Sequence, residues 1–205
     1  IKRENPDAVA IELDEKRLES IKNPEAWRNM DILKVLKKKQ AFLMLANLVL
    51  SSYQKRMGQS AGVKPGDEMV AAITVAEKEG IRQVMVDRPI SVTLRRAWAK
   101  NSFWGKCKLF SALITSAFGK EDVSQEDIEH LKEKSEMDNM MSELSEYLPA
   151  VKEVLIDERD RYLASRIFTA ASENGTKNLV AVLGAGHLNG VVSHIELMAA
   201  KKESP

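Results

Sequence analysis

The sequence predicts an α/β fold with a mostly parallel central sheet flanked by helices. Three short apolar runs, at residues 8–11, 81–86 and 178–183, are bounded by Gly, Pro or Asp. Continuous apolar runs of this length are typical of buried parallel strands. The stretches between them carry apolar residues at helical spacing, and such alternation of strand and helix favours the α/β class.

The predicted helices follow the strands in chain order. A short helix over 16–20 continues from the first strand, and a helix over 67–79 begins after Gly66, with Asp67 as its predicted N-cap. The other helices are expected over 31–54, over 90–117 as one or two helices, and over 123–141, 155–174 and 188–198.

The domain organisation is predicted from length and polarity. A chain of 205 residues suits a single domain over 1–205, and the polar stretch 120–148 suggests a helical insertion or lid. The chain starts at Ile1, in what resembles the end of a helix entering a strand, so we expect native sequence upstream. The most apolar window, 41–50, is too short to span a bilayer.

The composition excludes several classes of protein. The chain has 31 Lys and Arg against 30 Asp and Glu, without the basic surplus typical of nucleic-acid binders, so no nucleic-acid partner is expected. Its one cysteine, Cys107, excludes an internal disulfide and a multi-cysteine zinc site. Because apolar residues surround Cys107, we expect a buried structural thiol, and a cytoplasmic location is compatible with this count.

Polar side chains follow each predicted strand. Glu12 and Asp14 come after the first, Asp87 and Arg88 after the second, and His187 after the third and two glycines. Ligands of parallel α/β sheets bind at the carboxyl ends of strands, so these residues predict a site. His187 suits a metal ligand or a general base, and equally a residue that caps the following helix.

The carboxylates also have structural interpretations. Glu12 suits a cation ligand, or a salt bridge with Lys16 or Arg17. Asp14 is better explained as the N-cap of the first helix. Glu68, on the first turn of a helix, could serve only the helix dipole.

The charged run 158–161 lies within a predicted helix. Four consecutive residues point to all sides of a helix, so at least one of them faces the protein body. If that residue is an arginine, it needs a carboxylate partner or an anionic ligand.

Five segments resemble the TraB/PrgY family. This family includes the pheromone-shutdown proteins of conjugative plasmids, and it is related to the Tiki metalloproteases and to the erythromycin esterase/ChaN-like superfamily. The resemblance covers nearly all of the chain except the insertion at 120–148. The segments are PDAVAIELDEKRL at 6–18, GDEMVAAITVAEKEG at 66–80, VMVDRPISVTLRRAW at 84–98, LIDERDRYLA at 155–164 and VAVLGAGHLNGV at 180–191.

The resemblance implies a metal-dependent hydrolase, specifically a peptidase acting on peptides such as signalling pheromones. His187 matches the histidine of the family's second Gly-x-x-His motif, whereas the first such motif is absent from this chain. His187 and Glu12 are the implied metal ligands. Manganese, cobalt and zinc all suit such donors.

The resemblance also implies roles for other residues. Glu12, Glu68, Arg159 and Asp160 are the implied catalytic residues, with Glu12 or Glu68 as ligand or general base. Arg159 and Arg88 are the implied substrate-binding residues, and Arg159 would stabilise a developing oxyanion.

Two alternatives stay open beside a cytoplasmic hydrolase. One is a non-catalytic regulator that binds a peptide or another ligand. The other is an interaction protein whose full-length form is associated with a membrane through segments outside this chain. A homodimer is expected because two-fold dimers are the commonest oligomers.

Overall fold

The structure is a computed structural model that describes residues 1–23, 66–118 and 149–205, together with Ser142 and Glu146. The described residues form two compact units. Residues 1–23, 66–90 and 156–205 form the first, and residues 91–118 and 149–155 belong to the second. Each unit is described by itself.

The first unit contains a three-stranded parallel sheet. The strands are β1 (Ala8–Ile11), β2 (Arg82–Met85) and β3 (Leu179–Val182), in the order β2-β1-β3. Both neighbours pair with β1 in parallel. The predicted strands and the predicted α/β class with a parallel sheet are therefore confirmed.

The three strands differ in burial. All four residues of the middle strand β1 are 0% exposed. In β2 and β3 most residues are partly exposed, because each has a strand neighbour on one side only within the described sheet. The expectation of burial on both faces is therefore right for 8–11 and wrong for 178–183.

The described helices flank this sheet or belong to the second unit. They are α1 (Glu15–Lys22), α2 (Asp67–Lys78), α3 (Ile90–Lys100), α4 (Phe103–Phe118), α5 (Pro149–Lys152), α6 (Glu158–Ser172) and α7 (Ala185–Ala199), with a π-helical turn at Glu153–Asp157 before α6.

Most helix predictions agree with the structure, with two corrections. Gly66, not Asp67, is the N-cap of α2: it adopts φ 101° and its carbonyl accepts the first helical hydrogen bonds. Helix α7 begins three residues earlier than expected, so His187 lies inside its first turn. The helices expected over 31–54 and 123–141, and the insertion at 120–148 apart from Ser142 and Glu146, lie outside the described residues.

Two apolar clusters cover the two faces of the sheet. On one face Val9 and Ile11 pack against α2. On the other Ala10 packs against apolar residues of α6 and α7. Side chains alternate between faces along a strand, so Glu12, two residues after Ala10, continues on the α6 and α7 side. This alternation directs the Glu12 carboxylate towards the residues described below.

The second unit contains most of α3 and all of α4. Thr93 and Ala97 of α3 are buried, and the Asn101 side-chain amide donates to the Ala97 carbonyl at 2.6 Å. Cys107 is exposed, so the expected buried thiol is wrong: it shares an outward side of α4 with Phe103, which is also exposed. Within the described residues, no helix combines the length and apolarity that crossing a membrane requires.

Candidate functional site

The carboxyl edge of the sheet, where the three strands end, holds the candidate site. Backbone pairing continues past the strands: the Glu12 N–H donates to the Val182 carbonyl at 3.1 Å, and the Asp87 N–H donates to the Leu13 carbonyl at 3.1 Å. These hydrogen bonds hold the backbone of Glu12 against the end of β3 and the backbone of Asp87 against Leu13, the residue after Glu12. The polar side chains at this edge are therefore held by the sheet itself.

Arg159 on the first turn of α6 binds three of these side chains. Its Nε and Nη2 donate to the two carboxylate oxygens of Asp87 at 3.0 and 2.7 Å, a bidentate pair. Its Nη2 also donates to Glu12 Oε1 at 2.6 Å, and its Nη1 lies 2.9 Å from Nε2 of His187. We call Glu12, Asp87, Arg159, His187 and Asp160 the Arg159 cluster.

The hydrogen bonds of His187 determine its tautomer. A guanidinium N–H can only donate, so His187 Nε2 accepts from Arg159 and carries no proton. The proton of the neutral ring is then on Nδ1, which donates to Asp160 Oδ1 at 2.5 Å. Asp160 is 5% exposed and His187 is 8% exposed, so this pair is shielded from water. Neither helix capping nor a backbone hydrogen bond accounts for the side chain of His187.

Gly184 and Glu12 are also joined directly. The Gly184 N–H donates to Glu12 Oε2 at 2.6 Å, while Glu12 Oε1 lies 3.7 Å from His187 Nε2. A Cβ atom at position 184 would lie 3.3 Å from Glu12 Oε2, closer than usual packing allows. Glu12 therefore connects Arg159 with the turn that precedes His187.

Gly190 is a residue of this region that sequence reasoning missed. A Cβ atom there would lie 1.9 Å from Asp160 Oδ2, so only glycine leaves room for that carboxylate. The sequence carried a signal for Gly190: it lies three positions after His187 in a predicted helix, where glycine costs about 1 kcal/mol relative to alanine. A glycine at such a position calls for a packing reason.

The electrostatics of the cluster favour a charged Arg159. Burial lowers the pKa of the Arg159 guanidinium, but the hydrogen bond to Asp87 and the charges of Asp87, Glu12 and Asp160 outweigh it, and its pKa is raised above the ordinary value. One guanidinium thus faces three carboxylates, with the His187 ring beside them. When all three are ionised, the cluster carries an excess of negative charge.

The side chains of Asp87 and Arg88, which follow β2, have different partners. Both carboxylate oxygens of Asp87 accept hydrogen bonds from Arg159. The buried Arg88 side chain instead lies 3.5 Å from the carboxylate of Glu158. The sequence signal for Asp87 was its position after a strand, but its partner is 72 residues further along the chain.

Two other predicted residues have local roles. Asp14 caps α1, accepting from the backbone N–H groups of Lys16 and Arg17, which confirms its interpretation as an N-cap. Glu68 is exposed on the first turn of α2, where its carboxylate accepts from the Gly66 N–H at 2.9 Å. The structure therefore brings together Glu12, Arg159, Asp160 and His187, and gives Glu68 a contact elsewhere.

A cavity of about 250 Å³ opens beside the cluster. Of the Arg159 cluster, the cavity lining contains Asp87, so the cavity meets the cluster at that carboxylate. This volume is close to the lower limit for small-ligand pockets. The lining residues are Asp14, Glu15, Lys16, Met85, Asp87, Pro89, Tyr162 and Arg166.

The positions of their donor atoms show whether the expected ligands His187 and Glu12 could hold a metal ion. His187 Nε2 and Glu12 Oε1 lie 3.7 Å apart, but both bind the guanidinium of Arg159. Within residues 1–23, 66–118 and 149–205, no group of three or more His, Cys, Asp or Glu side chains could hold a metal ion. These residues alone do not fit a metal site while Arg159 binds both donors, so the divalent ion stays a prediction.

The comparisons with known proteins agree with the resemblance. The profile of the TraB/PrgY/gumN family matches residues 1–204. The chain belongs to this family. It is 36% identical over 195 residues to an uncharacterized protein of Methanocaldococcus jannaschii, a match that covers 94% of this chain and 47% of that protein.

Animal relatives carry the same domain. The chain is 30% identical over 213 residues to the TraB domain-containing protein of Homo sapiens, and 29% identical to that of Bos taurus. Each of these matches covers 93% of this chain and 56% of the relative. The TraB-family chain thus spans about half the length of the curated relatives it matches.

Proposed function

We propose that the Arg159 cluster is the active site of a hydrolase that cleaves peptides, with His187 as the general base. The observation that carries this proposal is the Asp160–His187 hydrogen bond of 2.5 Å, which leaves the proton on Nδ1 and a lone pair on Nε2. A histidine acts as a base from this tautomer, and a buried carboxylate stabilises the imidazolium that forms. Family membership is consistent with the proposal.

Arg159 links substrate binding to the availability of this base. Its Nη1 holds His187 Nε2 at 2.9 Å, so the lone pair is occupied before a substrate arrives. A peptide carbonyl oxygen that accepts from Arg159 competes for the same N–H group. Binding of the peptide would therefore release Nε2 to accept a hydrogen bond from water.

The reaction then follows from these contacts. The water oxygen forms a bond to the peptide carbon, the carbonyl π electrons move to the oxygen, and the water proton passes to His187 Nε2. Arg159 stabilises the oxygen that becomes negative, since preorganised donors in a dry site act on developing charge. The imidazolium next gives its proton to the leaving amine as the C–N bond breaks. The predicted manganese, cobalt or zinc ion would supply Lewis-acid polarisation when bound, and no step above depends on it.

His187→Gln is the first test. A general base contributes about 10²- to 10⁴-fold to the rate, so we expect this variant to lose cleavage of quenched fluorescent peptides by about that factor. His194→Gln is the matched control: His194 lies on the same helix and its Nδ1 also binds a carboxylate, that of Glu203 at 2.7 Å. Equal cleavage by both variants would contradict the proposal. Assays with a chelator, and with each of the three ions added, test the metal separately.

A second candidate is a module that binds peptides without cleaving them. The excess of carboxylates around Arg159 favours it, because Glu12, Asp87 and Asp160 could attract a positively charged segment. Binding of a lysine-containing peptide that saturates, with no product by mass spectrometry, would support this candidate. Time-dependent cleavage by the same protein would exclude it.

A further inference from the structure

The sequence contains two Asn-Gly pairs, Asn174-Gly175 and Asn189-Gly190. Asparagine followed by glycine is prone to lose its side-chain amide spontaneously, because glycine has no Cβ atom to shield its backbone nitrogen. In this reaction the glycine nitrogen is the nucleophile and the Cγ atom of the asparagine is the electrophile. From the sequence alone, the two pairs are equal candidates for this chemistry.

The first pair lies in the turn that joins α6 to β3. Asn174 and Gly175 are both exposed, and the Thr176 N–H closes the turn by donating to the Glu173 carbonyl at 3.1 Å. Gly175 adopts φ 92°, and a Cβ atom there would meet nothing within 4 Å. Among the described residues, neither the Asn174 side chain nor the Gly175 N–H forms a hydrogen bond. Both reacting groups of this pair are therefore accessible.

The second pair lies inside helix α7. Asn189 is also exposed, so exposure does not distinguish the two asparagines. The N–H groups inside an α-helix donate to carbonyls four residues earlier, so the Gly190 N–H is engaged within the helix. Gly190 also packs closely against the Asp160 carboxylate. Reaction at Asn189 therefore requires local opening of the helix, whereas reaction at the turn does not.

We propose that Asn174 is a site of spontaneous deamidation and that Asn189 is protected from it. The Gly175 nitrogen forms a bond to Asn174 Cγ, the C–N bond of the side-chain amide breaks, and ammonia leaves with the proton of the Gly175 N–H. Water then adds to either carbonyl carbon of the succinimide ring, and the ring C–N bond at that carbon breaks. The products are aspartate, or isoaspartate, in which the main chain runs through the former side chain. This chemistry is independent of the proposed hydrolase.

Isoaspartate in this turn would disturb the contacts that hold it. Arg82 Nη2 donates to Thr176 Oγ1 at 2.9 Å, and Arg82 Nη1 donates to the Glu173 carboxylate. Isoaspartate adds a methylene to the main chain between these two contacts, so the spacing that Arg82 spans would change. Aspartate keeps the original main chain. We therefore expect the isoaspartate form to be less stable than the aspartate form.

Trypsin places the two pairs in different peptides, so mass spectrometry can follow each pair. Cleavage after basic residues gives peptides 167–177 and 178–201, which contain Asn174 and Asn189 respectively. The folded chain is incubated in mildly alkaline buffer and sampled over time, and fragmentation spectra locate the mass change from amide to acid. We expect this change to accumulate at Asn174 at least about tenfold faster than at Asn189, since the helix must open locally.

Two controls separate the effect of the fold from that of the sequence. In the chain unfolded by urea, we expect Asn174 and Asn189 to react at similar rates, because neither pair then has a fixed conformation. Asn174→Gln should abolish the change in peptide 167–177 and leave peptide 178–201 unaltered, since the longer side chain closes its ring far more slowly. A sample digested without incubation corrects for deamidation during digestion.

The effect on stability is measured on separated forms. Anion exchange isolates the aged forms that carry the additional negative charge, and a methyltransferase specific for isoaspartate, used as a reagent, distinguishes the two products. Asn174→Asp supplies the pure aspartate form. We expect the isoaspartate form to unfold at a lower urea concentration than Asn174→Asp.

Three outcomes would overturn the proposal or its consequence. Equal rates at Asn174 and Asn189 in the folded chain would show that the helix does not protect its pair. Reaction of Asn174 only in the unfolded chain would show that the turn itself prevents deamidation. Equal urea midpoints for the isoaspartate form and Asn174→Asp would exclude the proposed disturbance of the Arg82 contacts.

Discussion

The two edges of the parallel sheet use the same kinds of interaction in different surroundings. At the carboxyl edge, Arg159 binds Asp87 and Glu12, and the three side chains are 16% exposed or less. At the amino edge, where the strands begin, Arg82 of β2 binds Glu173, and these side chains are 43% and 52% exposed. An arginine–carboxylate pair therefore occurs at both edges, but only one of them is removed from water.

This difference in exposure distinguishes the candidate site at the carboxyl edge from the structural ion pair at the amino edge. Exposed ion pairs contribute about 0–1 kcal/mol, because water and salt screen them. A buried group that loses its partner costs far more, since the remaining charge stays in a medium that solvates it poorly. Buried charges that also orient a histidine suit chemistry, whereas the amino edge only holds strands and helix ends together.

Arg159→Met should have the largest effect on stability. It removes the cation from between Glu12 and Asp87 and leaves two buried carboxylates without it. We expect the free energy of unfolding in urea to fall by about 3–5 kcal/mol. Arg82→Met is the matched control at the amino edge, with an expected loss of about 0–1 kcal/mol. Equal losses would show that the two edges do not differ in the way proposed here.

Gly190→Ala tests the cluster without changing any of its charges. The added methyl group would lie 1.9 Å from Asp160 Oδ2, so the carboxylate that holds His187 must move. We expect a loss of about 1–3 kcal/mol, as for other overpacked positions. We also expect a change in the ¹⁵N chemical shifts of the His187 ring by NMR.

Gly186 provides the control for that substitution. It lies in the same helix, and a Cβ atom there would meet nothing within 4 Å. Gly186→Ala should therefore leave the His187 shifts unchanged and stabilise the helix by about 0.5–1 kcal/mol. If both alanines moved the His187 shifts alike, contact with Asp160 could not be the cause.

The fold was predictable to the extent that it depends on local pattern. The runs at 8–11 and 178–183 are apolar and bounded by breakers, and both form strands. Their burial was less predictable, because it depends on how many neighbours each strand acquires. The start of α7 was misplaced because Ala185 and Gly186 resemble a turn in sequence yet adopt helical geometry.

The residues of the candidate site that follow strands could be predicted from the sequence, whereas contacts that involve the helices α6 and α7 were harder to predict. Glu12 and His187 could be selected because each follows an apolar run. The inward direction of Arg159 was expected as one option of a charged run, and its carboxylate partners confirm that reasoning. Asp87 was expected at the site from its position after a strand, but its pairing with Arg159 was not predicted. Gly190 was missed, because its contact is with Asp160 and no local pattern specifies which distant side chain will be adjacent.

Asp7→Asn should give the smallest effect and the clearest pH dependence. Asp7 precedes β1 at the amino edge, and its Oδ2 accepts from the backbone N–H groups of Asn178 and Lys177 at 2.8 Å each. These bonds lower the pKa of Asp7 in the folded protein, with the N–H of Asn178 contributing most. Its stabilising contribution is therefore complete above the unfolded pKa of about 3.9, and it is lost as the pH falls through the lower folded value.

The pH dependence of the stability of this variant tests whether Asp7 has only a structural role. In urea titrations we expect Asp7→Asn to be less stable than the wild type by a constant amount at neutral pH. The difference should shrink below about pH 4, where the wild-type carboxyl also becomes neutral. Peptide cleavage should be unaffected throughout, because Asp7 lies at the edge opposite to His187. A difference that persisted in acid, or a loss of cleavage with the fold intact, would mean that the two edges are coupled and that exposure alone does not separate them.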